Sequence, residues 1–165
     1  MEITRHGEAL TTNGTPIELG EQLPTFTVTN AQAKPVTTQD LSKRLTLISV
    51  VPDINTRVCS ISTKHFNEDM DAFDHTDFYT ISTNTPQEQQ SWCAAEGVKK
   101  MQLLSDQNGD FGKAMGLFVA YNHTDARSVW IVDGTGTVKY RELITEQTHE
   151  PDYTSALAYL EAHQH

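Results

Sequence analysis

One apolar run, residues 45–51 (LTLISVV), most constrains what this chain can fold into. Its apolar and β-branched residues continue without the alternation typical of a strand with one wet face. The pattern therefore predicts a central strand that is covered on both faces. Pro52 ends the run. Because such a strand needs a packed layer on each side, we expect a buried sheet at the centre of the fold.

Strand and helix patterns alternate along the rest of the chain. Further strands are predicted at residues 26–30, 77–82, 101–104, 128–132 and 138–142, and helices at residues 111–115 and 151–163. The order predicts an α/β sandwich around a central mixed β-sheet flanked by helices. No repeat, low-complexity segment or linker interrupts the pattern, which predicts a single domain over residues 1–165.

Two helices are predicted around the middle of the chain. After a loop at residues 53–56, four apolar residues (Ile61, Phe66, Met70 and Phe73) recur at nearly helical spacing and predict one buried stripe. The second helix has clear end signals. Thr85 is the predicted N-cap, with Pro86 in the first helical position and Glu88 closing a capping box. Gly97 is its predicted end.

The N-terminus is predicted to form a β-hairpin. Residues 1–5 and 15–19 flank Asn13 and Gly14, a pair that suits turns with positive φ. No apolar segment of signal-peptide type follows Met1, so we expect the protein to act in the cytoplasm. No run approaches the ~20 apolar residues of a membrane span, so no membrane association is expected.

The charge of the chain bears on its partners. Twelve Lys and Arg stand against 22 Asp and Glu, giving a formal net charge of −10. A phosphate backbone is repelled by such a field, and no basic cluster offsets it, so nucleic acid is not an expected partner.

The two cysteines, Cys59 and Cys93, leave several interpretations open when taken alone. Two buried inert thiols are the common case, and a structural disulfide is disfavoured in the reducing cytosol. The absence of a C-x-x-C motif argues against a general disulfide reductase. The seven histidines are scattered without zinc-site spacing, so no metal site is expected, and His65 is interpreted as a helix-face residue.

The segment from Pro52 to Cys59 (PDINTRVC) carries the most chemical information. Cys59 follows the buried strand at the start of a helix, whose N-terminal N–H groups and partial positive charge stabilise a thiolate. The thiolate is the nucleophilic form of cysteine. Thr56 is placed to bring a hydroxyl beside the sulfur, and Pro52 bounds the loop rigidly.

The pattern P-x-x-x-T-x-x-C resembles the active-site signature of the peroxiredoxins. The N-terminal hairpin, the 34-position separation of Cys59 and Cys93, and two further segments extend that resemblance. The segments are residues 127–133 (RSVWIVD) and 146–153 (EQTHEPDY). Together they resemble the bacterial thiol peroxidases, the atypical two-cysteine branch of that family.

The resemblance implies a thioredoxin-like fold, no metal or organic cofactor, and a role for each candidate residue. Cys59 would be the peroxidatic cysteine and Cys93 the resolving one. Thr56 and Pro52 would form the active-site loop, and Arg127 would lie beside the thiolate. The implied partners are a hydroperoxide substrate, thioredoxin as the reductant and a second copy of the chain in a homodimer.

The implied reaction passes through a Cys59 sulfenic acid and an intrachain Cys59–Cys93 disulfide, which thioredoxin reduces. The substrates would be hydrogen peroxide and organic hydroperoxides. Because the cysteines lie on separate predicted helices, we expect both segments to loosen on oxidation.

Three residues depart from the family pattern: Arg57 replaces a small residue or proline, Asn55 an acidic residue and Val51 an aromatic one. They bear on substrate preference and rate. Two other functions stay open: a redox-sensing adaptor that passes oxidation to a partner protein, and a catalytically silent binding domain. Arg127 is also open to interpretation as a surface charge or ion-pair member.

Overall fold

The computed structural model describes residues 1–69, 73, 75–97 and 101–163. Its strands are β1 (Glu2–Arg5), β2 (Glu8–Thr11), β3 (Thr27–Thr29), β4 (Pro35–Thr37), β5 (Thr46–Val50), β6 (Asp77–Ser82), β7 (Gln102–Ser105), β8 (Phe118–Val119), β9 (Thr124–Asp125), β10 (Ser128–Val132) and β11 (Val138–Leu143). Its helices are α1 (Arg57–Asp69), α2 (Pro86–Glu96), α3 (Asp110–Met115) and α4 (Tyr153–His163), and a 3-10 turn spans Asp40–Ser42.

Seven strands form one mixed sheet in the order β11-β10-β5-β6-β7-β3-β4. The central strands β5, β6 and β7 are parallel, whereas β10 and β3 flank them in the antiparallel direction. All five residues of β5 are buried, which confirms the central strand predicted from the apolar run. The mixed sheet with flanking helices confirms the predicted fold class.

The sheet separates two hydrophobic cores. Alternate residues of β5 point to opposite faces, as the two-residue period of a strand requires. Ile48 and Val50 pack in the core that α3 covers, and Leu47 packs in the core that α1, α2 and α4 cover. Trp130 of β10 is fully buried in the first core. The side with three helices is the one that contains Cys59.

The N-terminal hairpin exists, but its predicted turn and second strand were wrong. β1 pairs with β2 through a turn at His6 and Gly7, which have φ values of 51° and 79°. Asn13 lies beyond the hairpin, where its side chain bonds the backbone of Phe118 and Lys113. The side chain of Asn13 is therefore committed to a tertiary contact, and the turn forms where Gly7 tolerates positive φ.

The buried face of α1 also differs from the predicted stripe. Phe66 is fully buried and Phe73 nearly so, but Ile61 is 37% exposed, and Met70 lies outside the described residues. The helix instead buries Ser62 and Thr63 beside Cys59 and Phe66. Those hydroxyls are satisfied because each donates to a backbone carbonyl one turn earlier, the Cys59 carbonyl in the case of Thr63 at 2.8 Å.

The ends of α2 confirm the predicted signals. The Thr85 side chain accepts from the Glu88 N–H, and the Glu88 side chain accepts from the Thr85 N–H, so the capping box is complete. Gly97 ends the helix in the left-handed conformation and donates to the Cys93 carbonyl. In the described part of the chain, no helix is long and apolar enough to cross a membrane.

Candidate active site

Cys59 lies in the first turn of α1, directly after the loop that leaves the central strand. Its side chain is fully buried. The loop forms a turn that is closed by the Asp53 carbonyl, which accepts hydrogen bonds from the Thr56 N–H at 3.0 Å and the Thr56 hydroxyl at 2.9 Å. The helix starts from the same turn, since the Ser60 N–H donates to the Thr56 carbonyl. The local sequence therefore places the sulfur near the positive end of the helix dipole.

The loop before Cys59 is braced by the segment that begins α2. The Asn84 side chain accepts the Ile54 N–H at 2.8 Å and donates to the Asp53 carboxylate at 3.0 Å. Asn84 directly precedes Thr85, the N-cap of α2. The beginnings of α1 and α2 are thus fixed to each other, which makes the turn around Cys59 rigid.

Arg127 is brought against the sulfur of Cys59. Its Nη2 lies 3.1 Å from Cys59 Sγ, and the arginine is only 3% exposed. The expectation that Arg127 lies beside the thiolate position therefore agrees with the geometry, and the surface-charge alternative does not. A guanidinium at hydrogen-bond distance in a buried site stabilises negative charge on sulfur.

Gln147 holds Arg127 in place through two hydrogen bonds. Arg127 Nε donates to the Gln147 carbonyl at 2.9 Å, and the Arg127 backbone N–H donates to Gln147 Oε1. Gln147 Nε2 is in turn fixed to the Ile144 carbonyl at 2.6 Å. Sequence reasoning assigned Gln147 no role. The segment EQTHEPDY was noted only for its resemblance, and nothing local links it to residue 127.

A pocket of about 210 Å³ opens beside this pair. It is lined by Arg5, His6, Pro52, Thr56, Arg57, Val58, Arg127, Gln147 and Thr148. Three predicted site residues, Pro52, Thr56 and Arg127, therefore line one cavity, and Cys59 lies fully buried behind this lining in contact with Arg127. Arg127 Nη1 is buried and has no hydrogen-bond partner among the described residues, so it is free to donate to a ligand.

The N-terminal hairpin forms part of the pocket wall. The Glu146 carboxylate accepts the N–H groups of His6 at 3.3 Å and Gly7 at 2.8 Å, and the Thr148 hydroxyl at 2.6 Å. These hydrogen bonds hold the pKa of Glu146 well below its usual range. Glu146 thereby fixes the turn against the segment around Gln147. Sequence reasoning predicted a hairpin but gave it no place in the site.

Cys93 is not brought into this pocket. It lies in the last turn of α2, half-buried, and like Cys59 it is a free thiol. It lines a separate cavity of about 340 Å³ with residues of the β3–β4 turn and β7, none of which lines the Cys59 pocket. Burial raises the pKa of the Cys93 thiol. Four of the five predicted residues therefore form one site, and the fifth stands apart.

An open groove of about 730 Å³ separates α1 from α2. Thr56, Arg57 and Ser60 line it from one side, and Trp92 is among the residues of the other. A 2.6 Å ion pair between Lys64 and Glu96 bridges the two helices.

The neighbouring histidine has a structural environment. His65 Nδ1 lies 2.8 Å from a carboxylate oxygen of Asp69, and its ring stacks on Tyr153 with ring centroids 3.9 Å apart. It lies on the face of α1, as expected, and does not line the Cys59 pocket. Within the described ranges, no three His, Cys, Asp or Glu side chains cluster as metal ligands.

The chain is similar to known proteins over nearly its whole length. Residues 19–141 match the model of the AhpC/TSA family. A thiol peroxidase of Bacillus subtilis is 37% identical over 153 residues, which are 92% of each chain. One of Listeria monocytogenes serovar 1/2a is 38% identical over 157 residues, covering 94% of this chain and 95% of the relative.

Solved structures agree in fold. A thiol peroxidase from Chromobacterium violaceum superposes with a TM-score of 0.89 at 17% identity, covering 100% of this chain and 98% of that one. A peroxiredoxin-like protein from Aquifex aeolicus gives 0.88 at 24% identity, covering 98% and 96%. Both confirm the thioredoxin-like architecture. With the family model matching most of its length, the chain belongs to the AhpC/TSA family, as a peroxidase of the peroxiredoxin type.

Proposed function

We propose that Cys59 is the peroxidatic cysteine and that Arg127 and Thr56 assist its attack on a hydroperoxide. The observation that carries this proposal is the 3.1 Å contact between Arg127 Nη2 and Cys59 Sγ at the wall of a pocket. The sulfur lies in the first turn of a helix, where a thiolate is stabilised, and the thiolate is the form that attacks.

In the attack, the Cys59 thiolate forms a bond to the terminal oxygen of the hydroperoxide while the O–O bond breaks. The sulfur becomes a sulfenic acid, and the departing alkoxide or hydroxide takes up a proton as an alcohol or water. The unpartnered Nη1 of Arg127 can donate to the oxygen that gains negative charge. The Thr56 hydroxyl donates to the Asp53 carbonyl, so its lone pairs are available to accept a hydrogen bond from the O–H group of the incoming hydroperoxide.

Pro52 shapes the floor of the pocket without offering an N–H that competes for the oxygens. It is buried and lines the cavity with Thr56 and Arg127. Hydrogen peroxide and small organic hydroperoxides both fit within about 210 Å³, which is below the usual 300–1,000 Å³ of sites for drug-sized ligands.

Cys93 is proposed as the resolving cysteine. Its thiol condenses with the Cys59 sulfenic acid, forming the disulfide and releasing water, and thioredoxin then exchanges its dithiol for that disulfide. A disulfide needs Cα atoms within about 7 Å and sulfur atoms that face each other. Cys93 lines a cavity on the β3–β4 side of α2, whereas the Cys59 sulfur is fully buried against Arg127, so one helix end must open before the bond forms.

The end of α2 is suited to such opening. Ala94, Ala95 and Glu96, which follow Cys93, are all exposed, so the last turn has few buried contacts to lose. At the other cysteine, Cys59 is fully buried in the core, so its turn must unwind further. The cycle thus includes local unfolding at both segments, most easily at α2.

The remaining parts of the proposal rest on the family. We propose that residues 1–165 act as one domain, that the chain forms a homodimer, and that the reductant is thioredoxin. A thioredoxin-linked cycle suits the cytoplasm, where that reductant keeps thiols reduced.

A thioredoxin-coupled turnover assay tests the proposed cycle. Reduced protein, an organic hydroperoxide and thioredoxin with its reductase should give sustained turnover, and Cys59→Ser should abolish it. Cys93→Ser should lose thioredoxin-dependent turnover while a single oxidation of Cys59 persists. Oxidation of Cys59 without turnover would favour the redox-sensing adaptor, and no oxidation of Cys59 would favour the silent binding domain.

A further inference from the structure

The Cys59 pocket has a charge opposite to that of the whole protein. Arg5, Arg57, Arg127 and His6 line it, and the described lining contains no acidic residue. The chain has a formal net charge of −10 and only 12 Lys and Arg in total. Three of those 12 therefore face one small cavity. A concave site with one sign of charge attracts ligands of the other sign, even against the net charge of the molecule.

Two of these arginines have no carboxylate partner. Arg44, by contrast, is paired with Asp77 at 2.6 Å. In the part of the chain that the structure describes, no Asp or Glu lies within 4.0 Å of the Arg5 or Arg57 guanidinium groups. Their charges are thus left for a ligand, and Arg57 also lies at the positive end of the α1 dipole.

The charges lie at two depths in the pocket. Arg127 is 3% exposed and contacts the sulfur, whereas Arg57 is exposed and Arg5 is half-buried. The deep guanidinium has a buried Nη1 without a hydrogen-bond partner among the described residues. The outer guanidinium groups are placed for a second negative group on the same ligand.

We propose that this pocket prefers small hydroperoxides that carry a carboxylate, with the O–O group at Cys59 and the carboxylate between Arg5 and Arg57. The inference rests on the peroxidase function proposed above. The chemistry is unchanged: the sulfur–oxygen bond forms, the O–O bond breaks, and the carboxylate leaves intact on the alcohol product. The volume of about 210 Å³ limits the ligand to a short carbon chain.

The test compares two hydroperoxides that differ in charge. One is isovaleric acid with the hydroperoxide on its tertiary carbon, and the other is its methyl ester. The readout is the ratio of the second-order rate constants for oxidation of Cys59 by the acid and by the ester, in stopped-flow experiments on the reduced full chain. We expect a ratio of about threefold to tenfold in favour of the anion at low salt, falling as ionic strength rises.

Charge-removing variants locate the effect. Arg57→Gln and Arg5→Gln should each lower the ratio, and the double variant should bring it close to one. Lys34→Gln changes the net charge by the same amount but lies in the β3–β4 turn, outside the pocket lining, so it should leave the ratio unchanged.

Two outcomes overturn the proposal while leaving the peroxidase function intact. One is a wild-type ratio of one or less, with both hydroperoxides still oxidising Cys59. The other is a ratio above one that the double variant retains, because the preference then does not come from Arg5 and Arg57. If neither hydroperoxide oxidises Cys59, the proposed function itself fails and this inference fails with it.

Discussion

Replacing Gly97 by alanine should speed the formation of the disulfide. Gly97 ends α2 with φ at 70°, and its N–H donates to the carbonyl of Cys93. A Cβ built on Gly97 meets no atom of the described residues within 4 Å, so the variant introduces backbone strain and no steric clash. A left-handed residue other than glycine costs about 1 kcal/mol.

The strain acts on the step that brings Cys93 to Cys59. If the last turn of α2 must open before Cys93 reaches the sulfenic acid, strain that is released on opening raises the open population. About 1 kcal/mol corresponds to about a fivefold increase in that population. The attack of Cys59 on the hydroperoxide uses the folded site and should keep its rate. The resolving step alone should become up to about fivefold faster.

The reduced protein is mixed rapidly with one equivalent of hydroperoxide, and the reaction is quenched with acid and a thiol-alkylating reagent. Mass spectrometry of the quenched samples then gives the rate of Cys59 oxidation and the rate of disulfide formation separately. Gly20→Ala is the matched control, because Gly20 also has positive φ (86°) and open space around the added Cβ. It should lower global stability comparably and leave both rates alone. Disulfide formation in Gly97→Ala that is no faster than in Gly20→Ala would refute the opening of α2 as the limiting event.

Three further predictions concern the site and the core. Arg127→Met should lower kcat/KM for hydroperoxide by about a hundredfold, measured by stopped flow, because Cys59 loses the adjacent cation. Thr56→Val should lower the same constant by about tenfold, and Thr56→Ser, which keeps the hydroxyl, should restore most of it. Burial, together with the adjacent Asp106 carboxylate, raises the pKa of Asp125 well above its usual value. The folded protein thus keeps a proton on Asp125 that the unfolded chain releases near pH 4. The contribution of this proton to the free energy of unfolding is present at acidic pH, and it falls by up to about 1.4 kcal/mol per pH unit as the pH rises toward the raised pKa. Urea denaturation of Asp125→Asn should therefore show a flatter pH dependence and higher stability than wild type at neutral pH, and equal slopes would contradict the assignment.

Elements with local signals were predicted closely from the sequence. The capping box at Thr85 and the end at Gly97 depend on contacts within one helical turn, so the sequence pattern suffices. Strands β6 and β10 match their predicted bounds. Apart from the second hairpin strand, which was wrongly predicted at residues 15–19, the other predicted strands and the terminal helix differ by one or two residues at one or both ends. The short strands β4, β8 and β9 were not predicted, because two or three residues carry too little periodicity.

Errors arose where a distant residue decides the local structure. The hairpin turn forms at His6 and Gly7, where the carboxylate of Glu146 accepts both N–H groups across about 140 positions of sequence. The Asn13 and Gly14 pair carries a stronger local turn signal, and that signal cannot compete with such a contact. In α1, the apolar pattern predicted that Ile61 is buried, but its side chain is partly exposed. The helix buries the polar Thr63 instead, and this burial costs little because the Thr63 hydroxyl donates to a backbone carbonyl of the preceding turn.

The same distinction applies to the site. Cys59, Thr56 and Pro52 were identifiable because they share one short segment with a helix start. Arg127 was named through the family resemblance alone, and its hydrogen bond to the sulfur is a tertiary contact over 68 positions. The role of Gln147 could not be predicted, because an uncharged side chain that hydrogen-bonds to distant backbone groups carries no recognisable pattern of its own.

The proposed cycle requires that Cys59 is the oxidised residue and that Cys93 resolves it. Mass mapping of wild type and Cys93→Ser after one equivalent of organic hydroperoxide tests both roles in one experiment. We expect a Cys59–Cys93 disulfide in wild type, and in the variant a Cys59 sulfenic acid that dimedone traps. Two intact thiols after exposure to the hydroperoxide, or a modified Cys93 beside an unmodified Cys59, would contradict the proposed cycle.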